Sequence, residues 1–233
     1  MRLDRRTLLR SIGAAGVVGT AGCLGGETVT IDADEPPPDT PISTVSIPEA
    51  PGEYDYETMG SGNDPTAIYF ASWKCPSCAA FSEDLFEDIV EEFVAPGDLT
   101  VVHRGLGYGT NGDPFLGDDA PRISRAGLAL WELEPESFWP YYKLVMANQP
   151  PSDEAWGTTD TLVSLADAVG VEQLDAFRDA IGDETYERAL EETAEAAARH
   201  QVGGTPWMVV GDQSFSPLED PDATMSILED AIE

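Results

Sequence analysis

The chain has 233 residues, 42% of them hydrophobic, and its 44 acidic and 12 basic residues give a formal net charge of −32. So few basic side chains provide no basic stripe to meet phosphates, which excludes nucleic acid as a partner. The acids are spread from Glu27 to Glu233 rather than blocked. We interpret them as a hydrated, salt-screened surface of the halophilic type. A localised acidic patch for binding a partner is the alternative.

Residues 1–22 are predicted to be an export signal. A basic start is followed by an apolar stretch, residues 12–21, that is too short and too rich in small residues for a confident spanning helix. Residues 4–10, with Arg5 and Arg6, resemble a twin-arginine signal. Residues 20–23 resemble a lipobox, in which Cys23 is lipidated and becomes the mature N-terminus. An uncleaved signal anchor is the alternative, and either one places the folded part outside the cytoplasmic membrane, where disulfides persist.

The rest of the chain divides into a tether and one domain. Residues 23–50 are rich in Pro, Asp, Glu and Thr and are predicted to form a disordered tether. Residues 51–233 contain all five Trp, seven Tyr and eight Phe of the chain. That content is ample for one well-buried core.

Strand and helix patterns alternate along this domain. A strand is predicted at 67–71, a helix at 75–94 and a second, parallel strand at 99–103, followed by a loop over 105–117. Helices are then predicted at 123–131, 137–146, 159–169, 174–181 and 184–200. Strands at 207–210 and 213–215 flank a turn at Gly211-Asp212, and a helix at 222–232 closes the chain. The order β-α-β, helical block, β-β-α indicates the α/β class.

The chemistry is concentrated in Cys75-Pro76-Ser77-Cys78, which opens the first predicted helix. Unpaired backbone N–H groups and the positive helix end stabilise a thiolate there, and the second thiol lies one turn away. Pro76 suits the first turn because its missing N–H costs nothing. A purely structural disulfide is disfavoured, since so small a loop stabilises little.

The remaining metal-ligand candidates do not form a recognisable site with this pair. Since Cys23 belongs to the lipobox, no further cysteine is left to complete a four-cysteine zinc site. His103 and His200 could in principle join the two cysteines, but their spacing does not resemble a zinc finger. We expect no metal and interpret both histidines as ordinary strand and helix residues.

Two separate motifs resemble the DsbA-like members of the thioredoxin superfamily. One is Trp73-Lys74-Cys75-Pro76-Ser77-Cys78, and the other is Val202-Gly203-Gly204-Thr205-Pro206 ahead of the last two strands. Over residues 51–233 the resemblance implies a thioredoxin-like fold with a helical insertion at about 118–190. It also implies a cis Thr205–Pro206 bond facing the active-site helix, which leaves Thr205 backbone groups free for an extended substrate. An ordinary trans proline at the start of a strand is the alternative.

The resemblance implies a thiol:disulfide oxidoreductase that needs no cofactor. Cys75 is then the nucleophile and Cys78 the buried resolving thiol, and the candidates for substrate contact are Thr205, Pro206, Trp73, Pro76 and Ser77. Exported protein thiols and disulfides are the expected substrates, and an unidentified membrane or extracytoplasmic redox partner recharges the pair. Lys74 is expected to be an exposed cation, either near the thiolate or simply solvated. Trp73 is expected to be either a recognition surface or a packed aromatic.

The direction of electron flow stays open on sequence. Relatives that oxidise their clients often have histidine where this chain has Ser77. Many also carry a buried acid on the strand before the motif, whereas residues 67–71, the corresponding strand here, contain none. Oxidase, reductase and isomerase roles therefore remain. Two other classes are alternatives: a metallochaperone or cofactor-assembly lipoprotein that binds copper or delivers electrons through the same cysteines, and a non-catalytic tethered binding protein.

Overall fold

The computed structural model describes residues 39–63, 65–183 and 185–233. The predicted signal, Cys23 and most of the predicted tether lie outside the described residues. Within them, no helix is long and apolar enough to cross a membrane.

A five-stranded mixed sheet forms the centre of the domain, in the order β1-β3-β2-β4-β5. Its strands are β1 Thr58–Met59, β2 Thr66–Ala71, β3 Thr100–Gly105, β4 Trp207–Val210 and β5 Gln213–Phe215. β2 and β3 are parallel, as the predicted crossover requires, while β4 is antiparallel to β2 and forms a hairpin with β5. The two-residue β1, which the sequence analysis missed, pairs antiparallel with β3. The thioredoxin-like α/β fold is confirmed.

The helices account for most of the remaining chain. They are α1 Pro41–Thr44, α2 Pro76–Glu83, α3 Leu85–Ile89, α4 Ala120–Leu133, α5 Phe138–Ala147, α6 Thr159–Ala168, α7 Leu174–Gly182, α8 Glu187–Arg199 and α9 Pro221–Ile232. Single turns of 3-10 helix occur at Pro51–Glu53 and Pro135–Ser137, and α3 continues as a π-helical turn, Val90–Val94. The helices from α4 to α8 form the insertion between β3 and β4.

The alternation of side chains along β2 places two clusters on opposite faces of the sheet. Ala67, Tyr69 and Ala71 belong to the large cluster that includes residues of α2, α3 and α5. Phe70 belongs to a smaller cluster with Ala196 and Ala197 of α8. The face that carries Tyr69 is therefore the one on which the active-site helix lies.

The single helix predicted over 75–94 is broken at Asp84, whose backbone leaves the helical region with φ −135° and ψ −98°. Phe81 and Phe86 are five residues apart, a spacing that would separate them by about 140° on a continuous helix. The break lets both rings contact Tyr69, at centroid distances of 5.3 and 4.9 Å, and stack on each other at 5.1 Å. Aromatic packing thus explains the departure from the prediction.

The predicted boundary between tether and domain at residue 51 is too late. Residues 41–44 form α1, which Thr40 caps, and Ile42 is fully buried in the large cluster. The backbone N–H of Ile42 donates to the Glu87 carboxylate at 2.8 Å. Burial of one isoleucine in a polar, proline-rich stretch is a tertiary effect that composition does not reveal.

Candidate functional site

Cys75 lies at the start of α2, and the turn around it is fixed by backbone hydrogen bonds. It is the residue that precedes the first helical turn, with Pro76 as the first helical position. The backbone N–H groups of Cys78 and Ala79 donate to the Cys75 carbonyl at 3.0 and 3.1 Å. The predicted position of the motif on the helix is therefore observed, and both cysteines are free thiols.

The loop before β4 faces the first thiol. The Thr205–Pro206 peptide bond is cis, and the Cys75 thiol donates to the Thr205 carbonyl with an Sγ–O distance of 3.2 Å. The Thr205 hydroxyl is buried and has no hydrogen-bond partner among the described residues. It is nevertheless near enough to both thiols to lower their pKa values. Two segments 130 residues apart in sequence thus form one site.

The two thiols have opposite electrostatic environments. The hydrogen bond from Cys78 is the main cause that lowers the pKa of Cys75 to about 5, opposed by burial and aided by Thr205 and by the backbone N–H groups of Cys78 and Ser77. Burial raises the pKa of Cys78 well above its usual value, and the neighbouring Cys75 raises it further. At neutral pH the pair therefore holds one proton, on Cys78, with Cys75 as thiolate.

The surface of the site is small. Pro76 and Ser77 are exposed beside the thiol, Thr205 is half-buried and Pro206 is buried. Trp73 is only 2% exposed and has T-shaped contacts with rings of the core, among them Tyr142 at 5.6 Å. Of the two expectations for Trp73, this burial favours the packed aromatic over the recognition surface.

Lys74 is likewise not the exposed cation that the sequence suggested. It is 1% exposed, and its ammonium forms an ion pair with Asp119 at the start of α4 and donates to the Glu154 carbonyl at 3.0 Å. Burial opposes ionisation of Asp119, but the bonds from Lys74 and from the Gly157 N–H lower the pKa of Asp119. The lysine therefore attaches the active-site loop to the helical insertion.

A second bond joins the insertion to the same loop. The Gln149 side-chain amide donates to the Trp73 carbonyl at 2.9 Å. The two residues that precede Cys75 are thus both held by residues between positions 119 and 154. No local pattern in the sequence connects these residues, since their partners lie 45 to 80 positions away.

Sequence reasoning also missed the groups around the buried thiol. The Tyr69 hydroxyl, on β2, interacts with Cys78 and lies 3.1 Å from the Tyr142 hydroxyl on α5. His103 is fully buried next to them, with Nδ1 3.3 Å from a carboxylate oxygen of buried Glu57. In the sequence, the only sign of these groups was the hydroxyl of Tyr69 in the otherwise apolar predicted strand 67–71.

Within the described residues no group of three or more His, Cys, Asp or Glu side chains is arranged to hold a metal ion. His200 follows the end of α8 with its ring 6.1 Å from that of Phe70. His103 has its Glu57 contact instead of one to the sulfurs. The two histidines thus occupy a strand and a helix end.

In the comparison with known proteins, a family model described as Thioredoxin matches residues 58–230 of the chain. The chain belongs to the thioredoxin family. The match begins at β1 and ends within α9, so it spans the sheet, the CxxC helix and the insertion.

Similar proteins include one named for disulfide bond formation. Disulfide bond formation protein D of Bacillus subtilis is 24% identical over 172 residues, which is 73% of this chain and 74% of that protein. Oxidised BdbD of Bacillus subtilis superposes with a TM-score of 0.68 at 23% identity, covering 81% of this chain and 97% of that structure. For Chlamydia trachomatis DsbA the TM-score is 0.62 at 21% identity, with 84% and 95% covered. These likenesses support the prediction of a thiol–disulfide oxidoreductase of the DsbA type.

Proposed function

We propose that this protein exchanges disulfides with exported proteins outside the cytoplasmic membrane, through Cys75 and Cys78. The observation that carries the proposal is the pairing of a Cys75 thiol whose pKa is about 5 with a buried Cys78 one turn away, facing Thr205–Pro206. A thiolate at neutral pH is the reactive form in disulfide exchange. The exposed Pro76 and Ser77, together with Thr205 and Pro206, offer the surface on which a client segment binds.

The exchange proceeds in two displacements. A client thiolate attacks Cys75 Sγ of the oxidised pair, the Cys75–Cys78 bond breaks, and Cys78 leaves as a thiolate that takes up a proton. A second client thiolate attacks the client sulfur of this mixed disulfide and expels Cys75 as a thiolate. The client loses two electrons and two protons, and the cysteine pair gains the two electrons.

Net oxidation of clients is the direction that the site favours. Stabilising the Cys75 thiolate stabilises the reduced form of the pair, and a disulfide whose reduced form is stabilised is a stronger oxidant. Here Cys78 and Thr205 provide that stabilisation without a histidine at Ser77. The structure thus supplies a cue for direction that the motif alone lacks.

The location follows from the export signal proposed for residues 1–22. In this proposal lipidated Cys23 attaches the domain to the outer side of the cytoplasmic membrane. An extracytoplasmic redox partner then reoxidises the pair after each turnover. The acidic surface, with a net charge of −32 over the chain, suits a salt-rich surrounding that screens its self-repulsion.

The metallochaperone alternative has less support. The relative described above is named for disulfide bond formation rather than for metal binding. Copper binding by two cysteines would also need both as thiolates. The raised pKa of buried Cys78 opposes that state.

The test uses the full chain, oxidised, in molar salt with a reduced and unfolded client protein. We expect native disulfides to form in the client and Cys75→Ser to abolish this activity. Cys23→Ser, the matched change at the third cysteine, should leave it intact. Full activity of Cys75→Ser would refute the mechanism, and reduced protein that opens client disulfides faster than oxidised protein forms them would reverse the direction.

A further inference from the structure

The buried thiol of the pair poses a problem that the motif does not solve. Each time the Cys75–Cys78 bond opens, Cys78 leaves as a thiolate, and each time it closes, Cys78 attacks as one. Cys78 is fully buried, and a buried anion is costly unless something donates a hydrogen bond to it. The strand that leads into the motif carries no acid or base to help, and burial outweighs the Ser72 backbone and Thr205, which lower the pKa of Cys78.

Two buried tyrosine hydroxyls interact electrostatically with this sulfur. Tyr69 and Tyr142 are both fully buried and lie on different elements, β2 and α5. Their hydroxyl oxygens are 3.1 Å apart, and the Tyr69 hydroxyl also interacts with the Cys78 thiol. The Tyr69 ring is fixed against Phe81 of the same helix as Cys78, at a centroid distance of 5.3 Å.

The pair has the right protons for this task. Burial raises the pKa of each hydroxyl well above the usual value for tyrosine, so both stay protonated at neutral pH. Two neutral hydroxyls in contact share one hydrogen bond, in which one donates and the other accepts. If Tyr142 donates to Tyr69, the Tyr69 proton is free to point at the sulfur of Cys78.

We propose that Tyr69 is a catalytic residue of the disulfide exchange, donating a hydrogen bond to the Cys78 thiolate, and that Tyr142 is a positioning residue that orients it. The arrangement does for a sulfur anion what an oxyanion hole does for oxygen, with a donor fixed in advance where charge develops. It acts in both directions, because the same thiolate is the leaving group on opening and the nucleophile on closure. The inference deepens the proposed function and rests on it.

The experiment separates the two thiols in time. Reduced full-length protein with Cys23→Ser, in which Cys75 and Cys78 are the only thiols of the sequence, is mixed with a dithiobis(nitrobenzoate) reagent, whose disulfide is the oxidant and whose thiolate product is coloured. In the first phase the Cys75 thiolate attacks the reagent and one coloured thiolate leaves. In the second phase Cys78 gives its proton to solvent and attacks Cys75 Sγ, which breaks the bond to the aromatic sulfur, releases a second coloured thiolate and closes the Cys75–Cys78 disulfide.

We expect Tyr69→Phe to slow the second phase about tenfold, the effect of losing one hydrogen bond to a charged group, and to leave the first phase unchanged. Tyr142→Phe should slow the second phase by about threefold, since Tyr69 keeps its hydroxyl but loses its orienting partner. Tyr141→Phe is the matched control, because this neighbouring buried hydroxyl has no partner among the described residues. It should change neither phase.

Three results would overturn the proposal: an unchanged second phase in the Tyr69 and Tyr142 variants, equal slowing of both phases, or the same slowing in Tyr141→Phe. If Tyr69→Phe does not fold, Tyr142→Phe carries the test alone. The reagent is not a protein client, so the two phases can be measured even if client oxidation fails. The result is thereby distinguishable from failure of the proposed function.

Discussion

The two thiols of the CxxC motif are one helical turn apart, yet Cys75 lies on an outer side of the site and Cys78 on an inner side, and the two sides are built differently. The outer side, formed by Cys75, Pro76, Ser77 and the Thr205–Pro206 segment, meets solvent at Pro76 and Ser77 and is built mostly from backbone contacts and the helix start. The inner side is buried and consists of Cys78, Tyr69, Tyr142, Trp73 and Lys74. The outer side carries the reactive thiolate, while the inner side holds the second sulfur, whose hydrogen bond is the main cause that lowers the pKa of Cys75.

This difference also separates two kinds of information. The outer side is encoded in two short sequence motifs, one around Cys75 and one ending at Pro206. The inner side depends on side chains supplied by β2, α5 and the insertion, which a motif does not specify. Changes on the two sides should therefore have different effects, and three measurements test this.

The largest expected contrast is in thiol reactivity. In the reduced protein at neutral pH, a small alkylating reagent should modify Cys75 and spare Cys78 by several orders of magnitude, because only Cys75 is a thiolate. Below pH about 5 the Cys75 thiolate is protonated, so its alkylation rate should fall about tenfold for each further pH unit. Mass spectrometry of the labelled peptides measures both rates. Comparable labelling of the two thiols would remove the distinction.

The next largest effect concerns the anchor of the inner side. Lys74→Met leaves the Asp119 carboxylate buried without its cation, so the free energy of unfolding should fall by about 3–5 kcal/mol. Denaturant unfolding in molar salt measures it. Arg178→Ala removes an ion pair whose partners are 45% and 87% exposed, and should cost under about 1 kcal/mol. A loss this small for Lys74→Met would mean that the buried pair does not stabilise the loop.

The smallest effect is on the outer side. Thr205→Val keeps the shape of the side chain and removes the hydroxyl that helps to lower the pKa of Cys75, so this pKa should rise by about one unit. The pH dependence of alkylation gives the value. Thr100→Val, which removes another buried hydroxyl that has no partner among the described residues, should leave it unchanged. If the pKa of Cys75 did not change in Thr205→Val, its low value would be due to the hydrogen bonds from Cys78 and the backbone alone.

The sequence predicted the fold and the position of Cys75 for physical reasons. Parallel pairing of β2 and β3, the hairpin of β4 and β5 and the position of Cys75 all depend on contacts near in sequence or on a short motif. The two-residue β1 is too short to leave a periodic pattern, and the buried Ile42 lies in a segment whose composition favours disorder.

The inner side was out of reach because its residues look ordinary one at a time. Tyr69 fits any buried strand, and Trp73 and Lys74 fit any surface loop beside a reactive thiol. Their roles arise only when the insertion brings Asp119 and Gln149 to the loop and α5 brings Tyr142 to the sulfur. Such pairings depend on tertiary contacts across dozens of residues.

Lys74 and Lys143 are the only lysines of the sequence, and they are 1% and 4% exposed. Lys143 is paired with Glu87 much as Lys74 is with Asp119. The folded domain therefore offers no lysine amine to acylating reagents, to immobilisation on activated surfaces or to enzymes that modify lysine. Acylation at either position requires the surrounding helices to open first. The rate of acylation of Lys74 or Lys143 is therefore a measure of that opening.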